Sequence, residues 1–133
     1  PPISTLFPYT TLFRSIVEDN EINRRLAALY LREICNTEMA ENGYVAIEKI
    51  KRRKYDAILM DINLGAGPDG LSIAHQVRSY EINKNTPIIA VTGYTMHGDR
   101  EKLLSNGCSH YLPKPYDKQT LLKLFSGILY SQK

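Results

Sequence analysis

From Ile16 onward, short apolar runs alternate with stretches in which apolar residues recur every three or four positions. Ile16-Val17 ends a first strand. Behind it, Asp19 or Asn20 can cap a helix carrying Ile22, Leu26, Leu29, Tyr30 and Ile34 at helical spacing. Thr37 to Ala40 reads as a second strand closed by the turn signal Asn42-Gly43. A helix is predicted from about Tyr44 to Arg53, with Val45, Ile47 and Ile50 among its apolar positions. The run Ala57-Ile58-Leu59-Met60 is continuously apolar, which is the pattern of a parallel strand covered on both faces. After a glycine-rich loop, Asp69 can cap a helix bearing Leu71, Ile73, Ala74 and Val77, and Pro87 then opens a second buried run, Ile88-Ile89-Ala90-Val91. A polar helix from about His97 to Ser105 stops at Asn106-Gly107. His110 to Leu112 forms a short strand broken by Pro113 and Pro115. Asp117 caps a last helix whose Leu121, Leu124, Phe125, Ile128 and Leu129 form an inward stripe.

Five strands alternating with five helices imply an α/β fold: an open parallel sheet with right-handed crossovers and helices on both faces. In such sheets ligands sit at the carboxyl ends of the strands. Composition narrows the picture little further. A chain of 133 residues suffices for one domain, and 43% hydrophobic with 23% charged residues excludes a disordered or fibrous class. The formal charge of +3 is spread over several segments, and the run Lys51-Arg52-Arg53-Lys54 reads as a solvated helix end rather than a nucleic-acid site. Cys35 and Cys108 fit neither a redox pair nor a zinc knuckle, which points to a reducing, cytoplasmic setting. No apolar run approaches the roughly 20 residues needed to cross a bilayer.

The opening segment reads differently. Residues 5–15, TLFPYTTLFRS, resemble the in-frame translation of a common short-read sequencing adapter. Residues 1–15 are therefore expected to be a non-native lead-in and 16–133 the domain proper, with part of the first strand replaced. Arg14 and Ser15 fall where two buried apolar residues belong, and an unpaired buried arginine is costly.

The candidate chemistry lies just beyond the strand ends. Glu18 and Asp19 follow the first strand, Asp61 the third and Lys114 the fifth, while Thr92 ends the fourth. Carboxylates gathered at one edge repel one another, and a divalent cation relieves the repulsion; oxygen ligands with room for water suit Mg²⁺. One carboxylate can attack phosphorus to give an acyl phosphate. The transferred group then needs the cation, a lysine and a hydroxyl, and Lys114 and Thr92 supply the last two. The loop Asn63-Leu64-Gly65-Ala66-Gly67 can add backbone N–H donors. Each residue alone is ordinary turn chemistry; the ordered set carries the case.

The motifs VEDN at 17–20, ILMDINLG at 58–65, DGL at 69–71, VTGY at 91–94 and YLPKP at 111–115 together resemble the receiver domain of two-component response regulators. The likeness runs from Ile16 to about Leu129. It implies a flavodoxin-like (βα)5 fold with strand order 2-1-3-4-5. It also implies that Asp61 accepts a phosphoryl group from a histidine kinase or histidine phosphotransfer domain. Glu18, Asp19, Asp61 and the backbone carbonyl of Asn63 would hold Mg²⁺, Lys114 would pair with the phosphoryl group, and Thr92 with Tyr111 would form the switch. The Lys114–Pro115 bond would be cis, and the last strands and helices would form the output surface, where a homodimer could also assemble. A receiver of this kind is no enzyme beyond its own phosphorylation and dephosphorylation, and neither nucleic acid nor membrane is an expected direct partner.

Several positions depart from the family pattern. The loop NLGAGPDG lacks Met-Pro and is one residue longer than usual, Gly93 replaces a frequent alanine, and Asn63 and Tyr94 stand where phosphoryl lifetime is set. With no output domain expected after the fifth helix, and with VEDNEIN similar to receivers of hybrid sensor kinases, a hybrid kinase and a single-domain regulator are both open as parents. Two other readings compete: a small aspartyl-phosphate phosphohydrolase, which would want a second acid where Asn63 stands, and a receiver-like module that no longer takes phosphate. His75, His97 and His110 lack metal-ligand spacing and read as surface or packing residues.

Overall fold

A computed structural model describes residues 13–65, 67–93 and 99–131; the side chains of Phe13, Asp99 and 129–131 are not described. Residues 1–12, Tyr94 and His97 therefore lie outside the described residues, as does the side chain of Leu129 in the last helix.

Five parallel strands form one sheet in the order β2-β1-β3-β4-β5. They are β1 (Phe13–Val17), β2 (Asn36–Ala40), β3 (Ala57–Asp61), β4 (Ile88–Thr92) and β5 (His110–Pro113). The helices between and after them are α1 (Glu21–Leu31), α2 (Gly43–Arg52), α3 (Gly70–Ser79), α4 (Asp99–Ser105) and α5 (Lys118–Ser131). This is the flavodoxin-like order implied by the motifs.

The continuous apolar runs are explained by alternation across the pleat. Ile58, Met60, Ile88 and Ala90 pack with Ala46, Ile50, Ile73 and Val77 of α2 and α3 on one face. Leu59, Ile89 and Val91 pack with Leu31 of α1 and Leu121, Phe125 and Ile128 of α5 on the other. Every residue of β3 and β4 is buried, which a helix-covered parallel sheet requires.

Helix starts follow the capping chemistry read from the sequence at Asn20, Asp69 and Asp117, and Asn42, read there as part of a turn, is a cap as well. Asn20 Oδ1 accepts from Asn23 N, Asn42 Oδ1 from Val45 N, Asp69 Oδ1 from Ser72 N, and Asp117 Oδ1 from Thr120 N. The pair Asn42-Gly43 thus opens α2 as cap and first helical residue. The basic run behaves as expected, with Arg53 as C-cap and residues 51–54 exposed.

Two features go beyond the sequence pattern. Helix α1 buries Ala27 and Leu31, with Tyr30 and, beyond the helix end, Ile34 partly buried, whereas Ile22, Leu26 and Leu29 stand 77, 39 and 50% exposed. The helix carries two apolar stripes, and the sheet takes the one centred on Ala27 and Leu31. Strand β1 also begins at Phe13, so its first half belongs to the adapter-like segment. Backbone ladders ignore side chains: Arg14 pairs with Thr37 and Ala57, and Ser15 with Glu38 and Ile58. The cost falls on the side chains. Arg14 and Ser15 are 2% and 0% exposed, and Arg14 Nε and Nη1 and Ser15 Oγ have no hydrogen-bond partner. The Arg14 guanidinium lies 5.3 Å from the centroid of the Phe125 ring, and burial pulls its pKa down.

Candidate functional site

Parallel strands deliver their carboxyl ends to one edge, and the predicted residues meet there. Val17 of β1 lies opposite Met60 of β3, and Asp61 lies opposite Val91 of β4. Glu18, Asp19, Asp61 and Thr92 consequently follow or end three adjacent strands. One carboxylate oxygen from each of Glu18, Asp19 and Asp61 falls within 4.8 Å of the others. Glu18 and Asp61 are buried, at 7% and 3% exposure, while Asp19 faces solvent.

Lys114 enters from the far side of the sheet. Its backbone N–H donates to the Thr92 carbonyl at 2.8 Å, which joins the segment after β5 to the end of β4. Its Nζ then lies 3.2 Å from Asp61 Oδ2 and 3.6 Å from Glu18 Oε2. The Lys114–Pro115 bond is cis, as the motif implied. Burial and the neighbouring Asp61 charge raise the Glu18 carboxyl to about 6, with Lys114 opposing the shift. A buried carboxylate pair with one lysine is thus short of positive charge, which a hard cation would supply.

The loops fix this geometry. Asn63 N donates to Asp61 Oδ1 at 3.1 Å, Asn20 N to Glu18 Oε1 at 3.2 Å, and Gly65 N to Asp19 Oδ2 at 2.9 Å. Two described donors of the loop after Asp61 are therefore directed at carboxylates, whereas the sequence suggested a group still to arrive. Thr92 and Asn63 line a cavity of about 410 Å³ together with Asp69 and Lys102. Tyr111, two positions before the end of β5, is 41% exposed and pairs in register with Ala90.

Arg24 was not singled out from the sequence. Its Nη1 donates to the Glu18 carbonyl at 2.9 Å and approaches that of Asp19 at 3.5 Å, holding the β1–α1 turn from below. Its place four residues after the Asn20 cap was the available signal, because helical side chains lean towards the N-terminus.

The remaining candidates stay outside the site. A groove of about 700 Å³ lies at the β2–α2 edge beside Glu38, Tyr44 and Arg53, away from Glu18, Asp19 and Asp61. His75 is exposed and His110 sits on β5 with Nδ1 buried and unpartnered. Cys35 and Cys108 are buried on opposite faces of the sheet, and burial pushes both thiols up to about 11. Among the described residues no helix is long and apolar enough to cross a membrane.

A family model for the response regulator receiver domain matches residues 15–126. The chain belongs to that family. As a receiver domain it is 36% identical over 109 residues to the signal transduction histidine-protein kinase BarA of Shigella flexneri, covering 81% of this chain and 12% of that protein. It is 37% identical over 110 residues to hybrid signal transduction histidine kinase G of Dictyostelium discoideum, covering 80% of this chain and 3% of that protein. The receiver thus spans a small fraction of these relatives, which come from both bacteria and a eukaryote. Among solved structures, the receiver domain of sensor histidine kinase PA1611 from Pseudomonas aeruginosa shares 34% identity at a TM-score of 0.77. The match covers 85% of this chain and 93% of that one, and a magnesium ion is coordinated in the active-site cleft of that protein. The chemotaxis response regulator CheY4 of Vibrio cholerae shares 26% identity at a TM-score of 0.84, covering 90% and 99%.

Proposed function

We propose that Asp61 is the phosphoacceptor of this receiver domain and that it takes a phosphoryl group from a phosphohistidine. The observation that carries the reading is the convergence on Asp61 of two further carboxylates and the Lys114 ammonium, from three separate strand ends. Glu18, Asp19, Asp61 and the Asn63 carbonyl would hold Mg²⁺; the oxygen-rich donor set and the charge deficit of the pocket fit that ion. Mg²⁺ held there supplies positive charge to the oxygens of the transferred group.

The chain's own residues do the rest. Asp61 forms the new O–P bond as the P–N bond to the donor imidazole breaks, and the imidazole nitrogen keeps the electron pair and takes up a proton. Lys114, already 3.2 Å from Asp61 Oδ2, moves from pairing with the carboxylate to pairing with the phosphoryl group. Thr92 offers its hydroxyl to a phosphoryl oxygen, and Tyr111, exposed before that event, follows Thr92 inward. The domain catalyses only its own phosphorylation and dephosphorylation. A hydrolase reading gains nothing from Asn63, which contributes a backbone N–H to Asp61 where a second acid would be needed.

The donor is a histidine kinase or histidine phosphotransfer domain, which would dock on the exposed stripe Ile22, Leu26 and Leu29 beside the site. The output surface, and any homodimer contact, is the β5 side where Leu104 and Tyr111 stand exposed. Likeness to kinases named as hybrid favours a hybrid sensor kinase as parent, acting at the cytoplasmic side. The buried unpartnered atoms of Arg14 and Ser15 support a foreign origin for residues up to 15.

Incubation with acetyl phosphate or beryllofluoride, with and without Mg²⁺, tests the assignment by intact mass and by spectral change. A Mg²⁺-dependent adduct is expected on the chain and none on Asp61→Ala; label that survives the substitution defeats it.

A further inference from the structure

One contact in the loop after Asp61 is not used by the phosphoacceptor chemistry. Gly65 N donates to Asp19 Oδ2 at 2.9 Å, bridging 46 positions of chain. Asp19 is the exposed member of the carboxylate trio. Glu18 and Asp61 are immobilised by burial and by Lys114, whereas Asp19 stands at the solvent side, where a carboxylate without a partner would rotate freely.

Residue 65 meets two conditions at once. It carries an N–H, which proline would lack, and it has no side chain, whose Cβ would come within 3.1 Å of the same Asp19 oxygen and press on that carboxylate. The donor is also presented from an anchored loop. Gly67, at φ +82°, passes so close to Tyr44 that a Cβ would approach Cε2 to 2.6 Å. Gly43 packs against Pro68, where a Cβ would sit 2.3 Å from the carbonyl oxygen, and Asp69 caps α3. Contacts with α2 thus anchor the loop just beyond Gly65.

We propose that the Gly65 amide is a positioning group for the cation site: it ties down one oxygen of Asp19 and leaves the other for the metal. The inference rests on the Mg²⁺ reading above. Partners that orient a metal ligand are worth roughly 10–100-fold in affinity. The experiment is a calorimetric Mg²⁺ titration of the full chain, Gly65→Ala and Gly65→Pro, with thermal melts of all three without metal. Gly65→Pro, which loses the donor, is expected to bind Mg²⁺ about tenfold more weakly or worse. Gly65→Ala keeps the donor but crowds the oxygen, and should fall between Gly65→Pro and the unaltered chain.

Equal affinity in Gly65→Pro and the unaltered chain overturns the positioning role and leaves the Mg²⁺ reading standing. An unaltered chain that binds no Mg²⁺ overturns both. Should Gly65→Pro fail to fold, the Gly65 amide resonance of the unaltered chain decides. It is expected to shift in step with Mg²⁺ saturation, and a resonance that stays in place overturns the inference.

Discussion

Strands β1 and β3 lie side by side in the sheet, are equally long, and treat buried charge in opposite ways. Strand β3 is apolar until its last residue, Asp61, which finds Lys114 Nζ and the Asn63 N–H. Strand β1 buries its charged and polar residues first: Arg14 and Ser15 sit in the middle of the sheet, where Nε, Nη1 and Oγ go without partners. Position along the strand makes the difference. At a carboxyl end, loops bring N–H groups and cations; in the interior, neighbouring strands have already spent their backbone groups on each other. Buried charge is useful at the first place and a burden at the second.

Asp61→Ala should abolish the Mg²⁺-dependent adduct altogether while leaving the fold intact by circular dichroism; a partial loss would mean that another carboxylate shares the role. Replacing Arg14 by Ile and Ser15 by Leu should raise unfolding free energy by about 2–4 kcal/mol in a urea titration, from the unsatisfied groups removed. The same double variant should form the adduct as the unaltered chain does. Unchanged stability would show that β1 tolerates these residues at no cost and would remove the main support for their foreign origin.

A smaller effect concerns pH. The Glu18 carboxyl is held at about 6 against an ordinary 4.5, so between those values the folded chain binds more protons than the unfolded one. Stability of the metal-free chain should therefore fall as pH rises from about 4.5 to about 6, while Mg²⁺ affinity should rise through the same window. Glu18→Gln should flatten the stability slope, and a slope that persists in that variant would assign it to another group. The smallest expected change is at Gly93, where an added Cβ meets nothing within 4 Å. Gly93→Ala should stabilise by roughly 0.4–1 kcal/mol, measured by thermal melt, through loss of freedom in the unfolded chain.

Legibility in the sequence followed the range of the interaction. Strands β3 and β4 were readable because a run buried on both faces leaves an unbroken apolar signature. The site was readable because parallel topology converts strand ends into one edge, so Glu18, Asp19, Asp61, Thr92 and Lys114 could be named before their distances were known. The buried face of helix α1 was not legible, since two apolar stripes on one helix do not say which the sheet will take. The short 3-10 turn Glu81–Asn83 left no local signal either. Asn83 earns its burial at long range, accepting from Tyr55 N and donating to the carbonyls of Ile50 and Arg53. Gly65 was legible only as one of several possible N–H donors, because its partner Asp19 lies 46 positions away.

Both cysteines of the chain are sealed inside, one on each side of the sheet, with thiols that burial keeps protonated at neutral pH. A cysteine introduced on the surface would then be the one thiol a maleimide reaches quickly. Placed on α1 beside the exposed apolar stripe, or on α4 near the β5 edge, it would carry a fluorophore or spin label to a single address. The domain can thus report its own docking and switching with its native thiols left in place.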